Sequence, residues 1–198
     1  MKPDSNIWFR IDFEICFSQE DGEPSDFITV YHGKVIAIDD DEEEHRIGKI
    51  CIYIVERDRV IDHHLSLFDV MDCLDADSCD CFESLFDIET EELKAKVERL
   101  RSEDRAFNYN LVLIERLELE PEWRGLSIGK RVALRVIEKL GTSAGLIVCK
   151  PFPLQFTGLG AREKQPKGRR AAQAKVRAFW LNVGFIRIPG TDYCIWPD

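Results

Sequence analysis

The stretch "ELEPEWRGLSIGKRVALRVIEKL", Glu118–Leu140, decides how the rest of the chain is read. Just before it, "NYNLVLIERLELEP" (Asn108–Pro121) alternates as a strand does. Leu111, Leu113, Glu115, Leu117 and Leu119 fall on one face, and Val112, Ile114, Arg116, Glu118 and Glu120 on the other. Pro121 has no amide hydrogen to donate and ends the ladder. Beyond it the spacing turns helical. Ile128, Val132, Leu134, Val136, Ile137 and Leu140 make an apolar stripe beside Lys130, Arg131, Arg135, Glu138 and Lys139, and Gly141 supplies a stop. "AGLIVCKPF" (Ala144–Phe152) follows as a short apolar strand of the buried parallel kind.

The unit is therefore strand, glycine-bearing loop, helix, strand. Such a loop leaves amides unpaired at a helix N-terminus, where the helix dipole favours an anion, phosphate above all. Gly125 and Gly129 admit close approach of a ligand, Ser127 is small, and Arg124 adds a positive charge. Neither a Walker loop nor a dinucleotide fingerprint is present.

Working outward, "IWFRIDFEICF" (Ile7–Phe17), "FITVYHGKVIAI" (Phe27–Ile38) and "RIGKICIYIVER" (Arg46–Arg57) read as strands. The charge run "DDDEEEH" between the last two reads as a solvated hairpin tip. From Ser66 to about Arg101 the pattern is helical. It includes "DCFESLFDIETEELKAKVERLRSE", with Leu93, Val97 and Leu100 at helical spacing, while His63 and His64 precede it as loop residues. One α/β domain over 1–198 is expected: strands in 1–60, a helical segment in 61–105, and a core in 108–198 with a basic insertion in 151–170.

Composition limits the function. A net charge of −10 argues against a general nucleic-acid or membrane-surface partner, since both are polyanionic. No secretory leader pattern opens the chain, and no apolar run reaches the ~20 residues that span a bilayer. Seven cysteines, an odd number with several in apolar runs, suggest reduced thiols in the cytoplasm. "CLDADSCDCFE" lacks a C-x-x-C pair and fails as a calcium loop, because Asp80 and Phe86 stand where glycine and glutamate are needed. No metal is expected there.

"LELEPEWRGLSIGKRVALRVIEKL" resembles the acetyl-CoA signature of the GNAT superfamily of N-acetyltransferases. Arg124 and Gly129 match the ends of its core motif, and Ser127 stands where the inner glycine usually is. "VRAFWLNVGFIRI" (Val176–Ile188) is similar to the family's fourth-helix motif, an aromatic pair followed closely by Gly-Phe. The resemblance implies a central mixed, mostly antiparallel sheet of six to seven strands flanked by helices, with acetyl-CoA as cosubstrate. It implies that Leu117 and Leu119 lie along the pantetheine arm. The amides of Leu126, Ser127, Ile128, Gly129 and Lys130, together with Arg124 and Gly125, would hold the pyrophosphate. Gln173 stands near the asparagine that often begins the fourth helix.

Two departures stand out, one in the chemistry and one in the architecture. Trp180 replaces the tyrosine that in many relatives protonates the departing thiolate, and an indole is no such acid. Three strand candidates also precede the helices, where the family usually has two helices between its first two strands. The chemistry implied is direct acyl transfer to an amine of a small molecule or a protein. Glu115, Glu118 and Glu120 are candidate bases; Glu115 is favoured because its leucine-rich face would raise its pKa. Tyr193 is the second catalytic candidate, brought back by a hairpin through Phe185–Ile188 and Tyr193–Trp196. In the insertion, Arg162, Lys164, Lys167, Arg169 and Arg170 would approach the 3′-phosphate of CoA or an acidic substrate, or form a solvated loop. A degenerate acyl-CoA-binding or protein-interaction module is the alternative reading, and a homodimer is compatible with either.

Overall fold

β-Branched and aromatic residues dominate the first three strand candidates, and such side chains favour a pleated surface over a helix. In the computed structural model, which describes residues 8–17, 22–105, 107–156 and 167–197, they form β1 (Trp8–Cys16), β2 (Ile28–Ile38) and β3 (Glu44–Val55). The acidic run turns the chain between β2 and β3. Four short helices follow: α1 (Arg57–Asp62), α2 (Leu67–Asp72), α3 (Ala76–Leu85) and α4 (Ala95–Glu98). The chain then runs through β4 (Leu111–Leu119), α5 (Ile128–Leu140), β5 (Leu146–Cys149), α6 (Arg169–Val183), β6 (Ile186–Arg187) and β7 (Cys194–Ile195). One open seven-stranded sheet results, in the order β1-β2-β3-β4-β5-β7-β6. Every neighbouring pair is antiparallel except β4 with β5.

Apolar layers cover both faces. On one, Val35, Ile52, Val112 and Ile147 pack beneath Val132 and Val136 of α5 and Trp180 of α6. On the other, Phe27, Val55, Leu111 and Val148 pack beneath Val60, Met71 and Phe82 of α1 to α3. Full burial of side chains this size stabilises by about 1.5–3 kcal/mol each. The expected stripe of α5 is seated as its 3.6-residue period requires, except that Leu134 stays 36% exposed and Ala133 is buried. Six residues after Ile128, Leu134 has rotated well off the inward face.

Two expectations need correction. The region 80–103 is not mostly helical: α3 stops at Leu85, Phe86 bridges to Leu93, and α4 is a single turn. Asp87 Oδ1 accepts from the amides of Glu89 (3.0 Å) and Thr90 (3.1 Å), offering the backbone a turn in place of a helix. Glu91, at φ 55°, then turns its carboxylate onto the amide of Leu67 (2.7 Å) and caps α2 from outside.

The second correction concerns β4. Its leucines do not share one face: Leu111 and Leu113 belong to the layer under α1 to α3, Leu117 and Leu119 to the layer under α5 and α6. Ile52 pairs with Ile114, but Cys51 pairs with Arg116, so Glu115 is an extra residue. A bulge of one residue in a period-two strand reverses which face each later side chain takes.

Candidate functional site

The bulge sits where the sheet parts. β5 pairs with β4 only from Leu111↔Leu146 to Ile114↔Cys149, and β4 runs on beside β3 to Leu119. Glu115 therefore stands one residue beyond the last paired position of the parallel strands. Its side chain is 19% exposed, with Arg116 Nη2 3.4 Å from Oε1. Burial raises its pKa above the ordinary carboxylate range, Asp75 and Asp77 push the same way, and Arg116 opposes them. Burial acts on this carboxyl, but not through the leucine-rich face that the alternation suggested, because the bulge puts Leu117 and Leu119 in the layer opposite Leu111 and Leu113. Of the other candidate bases, Glu118 pairs with Lys49 (3.2 Å) and Glu120 is exposed.

Glu115 lines a cavity of about 460 Å³ with Glu14, His32, Cys51, Tyr53 and Arg116. Four of these form a row across adjacent strands, since Glu14 pairs with His32, His32 with Cys51, and Cys51 with Arg116. Cys51 Sγ lies 3.7 Å from His32 Nδ1. Burial, then the charge of Glu115, pushes the Cys51 thiol up to about 11, so it is protonated at neutral pH and not a ready nucleophile. Tyr53 donates to Asp75 Oδ2 (3.3 Å). Sequence reading missed this row. The signal was there in Glu14, His32 and Cys51, polar residues at alternate positions of three strands that become neighbours only once the register is known.

At the far end of β4 the glycine loop enters α5. Gly125 has φ 80° and Ser127, the N-cap, φ 61°. A left-handed serine costs roughly 1–2 kcal/mol. Its hydroxyl makes no capping bond, while its carbonyl accepts from Arg131 (3.1 Å). The opening amides of α5 are therefore not satisfied by that side chain, as an anion cradle requires.

Individual side chains there do more structural work than expected. Arg124 Nε donates to the Leu119 carbonyl (2.7 Å), and Lys130 Nζ to the Asn182 carbonyl at the end of α6 (2.6 Å). Ile128 is buried and Leu126 packs on the same layer. A Cβ on Gly129 would meet the Phe179 ring at 3.3 Å and Leu119 at 3.5 Å. Gly129 thus sets the approach of α5 to α6, and only its amide faces the loop question. Gln173 donates to the Pro151 carbonyl, tying the first turns of α6 to the end of β5.

Tyr193 does return along the sheet, as the β6–β7 pairing of Ile186↔Ile195 and Arg187↔Cys194 requires. Its ring is fully buried and its hydroxyl lies 2.9 Å from the Asp77 carbonyl and 3.0 Å from Asp80 Oδ2. Burial, then neighbouring acidic groups, pushes the phenol far up. Its one proton is engaged with α3. Trp180, 5% exposed, packs edge-on to Phe179 and Phe185 (centroids 5.2 and 5.1 Å) within the core. Arg162 and Lys164 lie outside the described residues.

Among the described residues one group could offer three metal donors, Asp39, Glu43 and His45, at the exposed hairpin tip. Asp39 Oδ2 and His45 Nε2 are 2.8 Å apart and satisfy each other. No described helix is long and apolar enough to cross a membrane. No family model, curated protein or solved structure matches the chain.

Proposed function

We propose that the chain is an acetyl-CoA-dependent N-acetyltransferase of the GNAT type. One observation carries the reading: a parallel strand pair separates beside a bulged, pKa-raised glutamate, and the same strand leads straight into a glycine loop at a helix N-terminus. In this reading the amides of residues 126–130 take the pyrophosphate and the backbone of 117–119 takes the pantetheine arm. The thioester then lies near Glu115.

The amine nitrogen of a small molecule or peptide attacks the thioester carbonyl. The C–N bond forms, the C–S bond breaks, and a strand amide stabilises the intervening oxyanion. Glu115 accepts the proton the amine must lose, for which a raised pKa suits it. The departing thiolate takes its proton from water, because Trp180 is an indole in the core and the Tyr193 hydroxyl is engaged by Asp77 and Asp80. The seven free thiols fit a reducing, cytoplasmic setting.

The test has two arms. Acetyl-CoA at a hundredfold excess over its Kd should stabilise the fold by about 2.7 kcal/mol, read as a rise in Tm. Free CoA should then appear when amines and peptides are supplied. The engaged phenol and buried indole favour one other reading, a module that binds acyl-CoA without transfer. Stabilisation with no CoA released from any amine would establish that reading and reject the enzyme.

A further inference from the structure

A second cavity, of about 480 Å³, opens where β5 ends and α6 begins, walled chiefly by Lys150, Phe152, Arg169, Arg170, Gln173 and Arg177. It gathers four cations, Lys150, Arg169, Arg170 and Arg177, against one carboxylate, Asp192, in a chain of net charge −10. Lys150 is already balanced by Asp77 and Asp80, each at 2.8 Å, and Arg177 lies 3.6 Å from Asp192. Arg169 stacks over the Phe152 ring at 5.4 Å. Among the described residues, neither Arg169 nor Arg170 is bridged to a carboxylate.

Their place on the helix adds to the imbalance. Arg169 and Arg170 are the first two residues of α6, whose first turn holds no acid and whose N-cap, Gly168 at φ 90°, has no side chain to offer. Two guanidinium groups thus crowd the positive end of the helix dipole, where acidic groups are normally favoured. Arg169, Gln173 and Arg177 recur every fourth residue, so one face of α6 presents them together. An anion in the cavity would relieve that repulsion.

We infer that this cavity binds a phosphate monoester. Two guanidinium forks match several oxygens of a tetrahedral dianion, whereas a carboxylate occupies only one fork. The volume leaves room for an organic body, and Phe152 gives it an apolar wall. This site is separate from the α5 loop. Gly129 packs on Phe179, ten residues along α6 from Arg169, or about 15 Å at the helical rise, too far for one phosphate to touch both. The phosphate belongs either to the 3′ position of CoA or to a second ligand such as the acceptor; that choice of source, though not the site, rests on the transferase reading.

Calorimetric titration with inorganic phosphate at low ionic strength tests the site. Wild type should bind it, acetate should not compete, and Arg169→Ala/Arg170→Ala should bind at least tenfold more weakly with Tm not lowered. Arg170→Gln alone, the milder change, should weaken binding in the same direction. No binding to wild type, or equal binding to the folded variants, overturns the proposal. Saturating acetyl-CoA and acetyl-3′-dephospho-CoA then separate the sources. Displacement of phosphate by the first alone assigns the site to the cofactor. Displacement by neither, with O-phosphoethanolamine binding and ethanolamine not, assigns it to a second ligand. A protein that binds phosphate but not acetyl-CoA loses the transferase reading and keeps this site.

Discussion

On one face of the sheet two helices of 13 and 15 residues, α5 and α6, lie over the strands; on the other, four helices of 6, 6, 10 and 4 residues share the task. The long pair keeps Val35, Ile52 and Ile114 at 1% exposure or less. The short set covers Val55, Leu111 and Val148 but leaves His32, Lys34 and Lys49 in contact with solvent. Helix length is what differs. Ser66 and Asp75 cap the starts of α2 and α3, so each is a fresh, short helix, and the turn at Asp87 follows directly on the end of α3. Helices this short do not cross the sheet, and polar side chains survive where no helix reaches. A closed face stabilises, and a half-closed face has room for a ligand.

Mutation can break this contrast, most strongly on the closed face. Trp180→Ala should cost about 3–5 kcal/mol in urea unfolding, as other buried aromatic truncations do. A loss under 1 kcal/mol would mean that α6 does not seal that face. Tyr193→Phe probes the other side, where the phenol fastens α3. It should cost roughly 1–3 kcal/mol and leave acetyl-CoA turnover intact. A large fall in turnover with stability unchanged would instead make Tyr193 the acid.

Glu115→Gln reports on the open end, and its effect on stability depends on pH. The folded-state pKa of Glu115 is raised, so protonation favours the native state; that favour is present below the unfolded value, about 4.3, and is lost as pH rises through the folded pKa. The amide should therefore raise Tm at pH 7, with the gain vanishing below pH 4, while turnover falls about 10²–10⁴-fold. An unchanged Tm at both pH values would show that the carboxylate is solvated. The smallest effect belongs to Lys49→Ala, which removes a half-exposed pair with Glu118 and should change stability by less than about 0.5 kcal/mol. A larger loss would place that pair in the core.

The three N-terminal strands, α5 and β5 were legible because each rests on a local period. Where a residue answers to a partner far along the chain, the period misleads. Leu93 has helical spacing but pairs with Phe86, and Glu91 is spent on capping α2. Gly129 looked like a ligand glycine until Phe179, fifty residues later, proved to be its neighbour. The candidate base was legible by residue type and not by geometry, since no pattern within β4 reveals that β3 skips a partner at 115.

That skipped partner bears on the hydrophobic code of β4. Leu111 and Leu113 serve one core, Leu117 and Leu119 the other, and the single unpaired residue lies between them. Loss of the one codon for Glu115 would leave Ile114 opposite Ile52 and Arg116 opposite Cys51 in an unbroken ladder, with all four leucines still on their own faces and only the bulge and its carboxylate gone. The core therefore does not require the extra residue; the spacing of the leucines accommodates it, and what it adds is a carboxylate displaced from the ladder at the point where β4 and β5 part.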